Sequence, residues 1–121
     1  MTAASPLALY REAVERHGFA PDEAQRAAAA RLDTCFQALH GEGAVEPRRA
    51  VPGVYLWGPV GRGKTWLMDG FHRHLRVSAR RLHFHHFMRW VHQRQFQLSG
   101  TADPLTALAR ELASEVRVLC L

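Results

Sequence analysis

The chain has 121 residues and sixteen lysines and arginines, yet only one of these is lysine. That residue, Lys64, lies in the octapeptide "GPVGRGKT" running from Gly58 to Thr65. Arginine presents a broad planar fork, whereas lysine is a slim point charge on a flexible stem. One lysine in an arginine-rich chain therefore marks a place that needs the slimmer cation. Gly58, Gly61 and Gly63 let successive backbone N–H groups curl around an anion with no Cβ in the way. The loop feeds a helical pattern, and a helix N-terminus carries about half a positive charge. The spacing G-x-x-x-x-G-K-[ST] is that of a phosphate-binding loop. Read so, Lys64 reaches the β and γ phosphates and Thr65 sets its hydroxyl on Mg²⁺; these two are the candidate catalytic residues.

Such a loop has to be held between a strand and a helix. "GVYLW", residues 53–57, is a short apolar β-rich run that reads as a buried parallel strand leading into the loop. Behind the loop, Leu67, Phe71 and Leu75 recur at helical spacing over about 64–76. Two helices come first. Ser5 and Pro6 open one, with Leu7, Tyr10, Val14 and His17 on a stripe and Gly18 at its end. Pro21, Asp22 and Glu23 open the other, with Ala24, Ala28, Leu32, Cys35, Phe36 and Leu39 as its apolar face. Downstream, "RLHFHHF" reads as a second strand and "MRWVHQRQFQL" as a helix. Asp103 and Pro104 open a further helix to about Ser114, and "VRVLCL" is a third strand. The fold class is α/β: a P-loop NTPase parallel sheet with crossover helices, preceded by two helices. The expected division is a helical segment over 1–46 and the N-terminal part of a P-loop domain over 47–121.

Charge is uneven. Residues 1–46 carry seven acids against four arginines, and 47–121 carry four acids against twelve basic residues, for a net +5. A basic half attracts polyanions such as nucleotides. No apolar run approaches the roughly 20 residues that cross a bilayer. The N-terminus lacks the pattern of a secretory signal, and Cys35 and Cys120 make no disulfide framework. A reducing, cytoplasmic setting is expected, with both cysteines as small buried hydrophobes.

The loop alone does not choose among kinases, GTPases and motor ATPases; its flanks do. "GVYLWGPVGRGKTWLMDGFH", "RLHFHHFMRWVHQR" and "DPLTALARELASEVRVLCL" resemble the ZapE-like AAA+ ATPases, cell-division ATPases with mitochondrial relatives. "SPLALYREAV" and "GFAPDEAQ" are similar to that family's N-terminal helices, so the resemblance covers nearly the whole chain. It implies an ATPase using ATP and Mg²⁺, joined to cell-division proteins at the inner face of the membrane and able to form homo-oligomers when full length. Gly58, Gly61, Gly63, Lys64 and Thr65 carry over as the nucleotide site, with Pro59, Val60 and Arg62 as loop positions acting mainly through backbone. Asp22 and Gln25 carry over as base-contacting candidates, against plain helix-start chemistry. In the family an Asp-Glu pair follows the strand matching "VRVLCL"; here the chain stops at Leu121. The resemblance thus implies an incomplete AAA+ sheet and a chain that, alone, is inactive in turnover. Alternatives are a helicase-loader-like AAA+ protein binding single-stranded DNA, or a nucleotide-binding module without turnover.

The remaining features read as structural. Six of the eight histidines lie between His72 and His92, with His83 and His85 on one strand face. No cysteine or carboxylate joins them at ligand spacing, so packing outweighs metal binding. Tyr55, Trp57, Phe84, Phe87 and Trp90 are expected in the core. Arg73, Arg76, Arg80, Arg81, Arg89 and Arg94 match no nucleic-acid module, so nucleic acid is disfavoured as a partner.

Overall fold

Capping chemistry decides where the helices begin. The computed structural model describes residues 5–40, 51–58 and 63–121. Along them run α1 (Pro6–Arg16), α2 (Glu23–His40), α3 (Lys64–Arg73), β1 (Ala79–Arg81), α4 (Phe84–Gln97), α5 (Pro104–Glu115) and β2 (Val118–Cys120). They form two compact units, Met1–Arg76 and Val77–Leu121.

In the first unit, Ser5 Oγ accepts the Ala8 N–H at 3.3 Å, with Pro6 in the first helical position where its missing N–H costs nothing. The Asp22 carboxylate accepts the Gln25 N–H at 3.1 Å and so starts α2. Tyr10, buried on α1, donates its hydroxyl to the Asp22 carbonyl at 3.0 Å and accepts the Asp22 N–H at 2.9 Å. One phenol thereby ties the start of α2 to the middle of α1. The core joins Tyr10 and Ala13 of α1, Ala29, Leu32, Phe36 and Leu39 of α2, and Leu67 and Phe71 of α3. Phe36 meets Phe71 edge-on with ring centroids 6.3 Å apart.

The buried stripe of α2 differs from the expected one: Ala24 is exposed, and Ala29 rather than Ala28 is buried. Four consecutive alanines, Ala27 to Ala30, give the helix no bulky side chain with which to declare a face there. The larger residues Leu32, Phe36 and Leu39 set the rotation instead. Helix α3 stops at Arg73, short of residue 76. His40 extends from the end of α2 to hold this exit. Its Nε2 accepts the Arg76 N–H at 2.9 Å, which makes Nδ1 the protonated nitrogen that donates to the Phe36 carbonyl at 2.8 Å.

Residues 53–57 are not a strand. Their composition favours one, but β structure needs a neighbouring ladder, and among the described residues none pairs with them. Tyr55 and Trp57, expected in the core, are 86% and 80% exposed.

In the second unit β1 and β2 pair in parallel, with Ala79 opposite Val118 and Arg81 opposite Cys120, and α4 and α5 lie in the crossover between them. Leu82 N–H extends the ladder to the Cys120 carbonyl at 2.9 Å. The chain then turns helical: "HFHHF", expected as strand, supplies the N-cap residue His83 and the first turn of α4. Phe87, Met88, Val91, Arg94, Gln95 and Leu98 form the less exposed face, at period 3.6, and Phe84 stands 63% exposed at its start. Asp103, at φ +51°, caps α5 through Thr106. Arg94 on α4 meets Glu111 on α5 at 2.6 Å. Cys120 is buried, and Cys35 in the first unit is half-buried.

Candidate functional site

A helix that starts at glycine has no side chain to occupy its first-turn N–H groups. Gly63 caps α3 at φ +80°, ψ 13°, a conformation L side chains rarely adopt, with no side-chain cap bond. Its carbonyl accepts the Leu67 N–H at 3.0 Å, so the helix is formed from its first residue. The first-turn N–H groups have no intrahelical acceptor and sit at the positive end of the helix dipole. Gly58, at φ +140°, lies at the other end of the loop. Lys64, first residue of α3, donates its Nζ to the Gly58 carbonyl and so spans the loop from last turn to first. Thr65 follows on the exposed side of the same turn.

Of the candidate site residues, Gly58, Gly63, Lys64 and Thr65 are thus gathered around one helix start. Pro59, Val60, Gly61 and Arg62 lie outside the described residues. Proline has no N–H, so Pro59 can shape the loop but donate nothing from its backbone. An ammonium group beside the first-turn amides at the positive end of a helix dipole is suited to an anion: a phosphate oxygen accepts a charge-assisted hydrogen bond roughly twice as strong as a neutral one.

The structure adds a feature of Gly63 that its place in the motif does not reveal. A Cβ built on it would lie 3.0 Å from Gln25 Nε2 and 3.7 Å from Gln25 Cδ. The carboxamide of Gln25 on α2 therefore packs close against the last glycine of the loop, so a side chain there would crowd it as well as meet the positive φ. Gln25 is held in turn by the Asp22 cap, and Asp22 by Tyr10. The sequence signal for this relay was present in "DEAQ", where Asp22 and Gln25 stand three apart, but nothing in the spacing says which loop the helix start touches.

The other polar clusters lie in the second unit. Rings of His83, His85 and His86 crowd the start of α4, with His85 and His86 centroids 4.1 Å apart. The His85 imidazole foremost, then desolvation, then Arg89 and His83, hold the pKa of the exposed His86 below its ordinary value of 6.5. Among the described residues no group of three or more His, Cys, Asp or Glu is placed to hold a metal ion. Arg94 is engaged by Glu111 and Gln97, Arg80 by Glu115, and Arg81 by the Leu82 carbonyl, so half of the basic series has internal work.

Comparison with known proteins adds relatives to this geometry. The family model described as AFG1-like ATPase matches residues 4–121. Cell division protein ZapE of Escherichia coli K12 is 36% identical over 141 aligned positions, which take in 99% of this chain and 38% of the relative. Lactation elevated protein 1 homolog B of Danio rerio is 35% identical over 80 positions, taking in 56% of this chain and 16% of the relative. A Schizosaccharomyces pombe protein is 40% identical over 75 positions, with the same two shares. The chain therefore spans well under half the length of these curated relatives. No solved structure matches it.

Proposed function

The chain belongs to the AFG1-like ATPase family, and from that premise we propose that residues 58–65 bind the phosphates of Mg·ATP. The observation that carries the reading is the glycine-capped start of α3 with Lys64 Nζ drawn back over the loop to Gly58. The β and γ phosphates lie against the first-turn amides and the Lys64 ammonium, and Thr65 supplies a hydroxyl to Mg²⁺. Gly58 and Gly63 bound the cradle, and by the family's motif Pro59, Val60, Gly61 and Arg62 are assigned to the same nucleotide site. A guanidinium in place of Lys64 is too broad and flat for the same position.

Hydrolysis needs more than a cradle: carboxylates must hold the metal's water and orient the attacking one. Binding of nucleotide, rather than its turnover, is what we propose for the residues gathered at the start of α3. Within a longer protein of this family the loop serves an ATPase. The Escherichia coli relative is a cell division protein, which extends the proposal to a cell-division setting; the family resemblance adds to the proposal partners from the division machinery, a cytoplasmic location at the inner face of the membrane, and self-association of the full-length protein. The test is calorimetric titration of the purified chain with Mg·ATP, beside Lys64→Ala. Binding that Lys64→Ala abolishes supports the reading; equal heats from both chains refute it.

A further inference from the structure

The side chains that α4 turns to solvent share one chemical property. Its arginines, taken in sequence order, match no nucleic-acid module, but the helix gathers a different set. His85, Arg89, His92 and Phe96 follow one another at steps of four, three and four residues. At the period of an α-helix they fall within about 60° of one another, on one row. All four are exposed, Phe96 by 81%. His86, Gln93 and Gln97 make a second exposed row beside the first. Each of these side chains ends in a planar group: imidazole, guanidinium, carboxamide or phenyl. The helix holds no aspartate, glutamate or lysine. A helix face that only meets water is commonly served by Glu–Lys pairs three or four residues apart, and this one has none.

The rest of the second unit does not neutralise that face. Its side-chain carboxylates are Asp103, Glu111 and Glu115. Asp103 is taken by Thr106, Glu111 by Arg94 and Glu115 by Arg80. Arg89 has no ion-pair partner among the described residues. We infer that the two exposed rows of α4 bind single-stranded nucleic acid, with bases stacked on the planar side chains and phosphates drawn to Arg89. Unpaired bases offer a π face to aromatic rings and guanidinium planes alike, and the glutamine amides are placed to meet base edges. A duplex hides those faces within its own stack. An acidic peptide offers carboxylates instead, which answer Arg89 but leave the phenyl and carboxamide groups without a use. From His85 to Phe96 the row runs about 16 Å, room for a short stretch of strand. The site lies wholly in the second unit and does not depend on the phosphate reading of residues 58–65.

The experiment is fluorescence anisotropy of fluorescein-labelled oligodeoxythymidylate and oligouridylate titrated with the 121-residue chain at low salt. Phe96→Ala removes a ring that stands in solvent, so the fold is kept, as circular dichroism will check. It should weaken the bound oligomer by roughly tenfold, in line with base–aromatic stacking. Inorganic polyphosphate, which has the charges and no bases, should bind this variant and the parent equally. Arg89→Ala should weaken the oligomer and flatten the slope of log K against log salt by about 0.7, the share of one phosphate on a single strand. Binding of either oligomer with these losses supports the inference, and the ratio of the two tells which sugar the face takes. It is overturned if neither oligomer binds, if a duplex binds as tightly as the single strand, or if either variant behaves as the parent. Polyglutamate that displaces the oligomer at equal charge concentration assigns the face to an acidic protein segment and overturns it as well.

Discussion

Gly63→Ala is the substitution on which the geometry makes its sharpest demand. Two costs arise at once. An alanine at φ +80° sits in the left-handed region, at about 1–2 kcal/mol. Its Cβ would also stand 3.0 Å from Gln25 Nε2, so the carboxamide must give by a few tenths of an ångström, at about 0.5–1.5 kcal/mol of rotamer strain. Together they destabilise the Met1–Arg76 unit by about 1.5–3.5 kcal/mol, and each kcal/mol lowers Tm by about 4–8 °C in a domain of that size. A double-mutant cycle separates the two. In a Gln25→Ala background the crowding is gone, and Gly63→Ala should then cost only the backbone share, about 1–2 kcal/mol. Urea denaturation followed by far-UV circular dichroism reads all four chains. A Gly63→Ala cost that is identical in both backgrounds refutes the packing of α2 on the loop. A cost below about 0.5 kcal/mol refutes the left-handed cap itself.

Tyr10→Phe removes one hydroxyl and takes a partner from both the N–H and the carbonyl of Asp22, the carbonyl keeping the Arg26 N–H at 2.9 Å, so a loss of about 1–2 kcal/mol is expected in the same urea assay. Glu111→Gln weakens the half-exposed bridge from Arg94 and should cost no more than about 1 kcal/mol, with little response to salt if the bond at 2.6 Å dominates. The pH response of the second unit follows from His86. Its pKa is lowered in the folded state, so the unfolded chain takes up the proton first; stability is intact above about 6.5 and declines as pH falls below it. Thermal denaturation between pH 7.5 and 5 should show that decline, and His85→Gln should make it shallower, because His85 is the leading cause of the shift.

Where a residue's own chemistry decides its conformation, the sequence was legible. Ser5, Pro6, Gly63 and Asp103 each do at their positions what their side chains, or lack of one, require. The glycine-capped start of α3 belongs to this class, because glycine freedom and a lysine charge are local properties. What needed a distant partner was not legible. Residues 53–57 have strand propensity without a ladder, and "HFHHF" alternates like a strand over five residues while also fitting the helical stripe that continues through Val91. Over so short a window the two periods cannot be told apart; the length of the run beyond Phe87 decides it. The packing of Gln25 on Gly63 joins residues 38 positions apart in the numbering, and no local pattern encodes it.

The solitary lysine makes the protein its own reporter. A lysine-specific endoprotease has one place to cut, between Lys64 and Thr65 inside the first turn of α3. Digestion therefore yields two fragments or none, and the rate of that single cut measures how often the helix start opens. An amine-acylating reagent meets the same side chain and, besides it, only the chain's α-amino group. Under the proposed nucleotide reading both reactions at Lys64 slow as the ligand is added, so a gel or a mass spectrum reads binding without a label or a mutation.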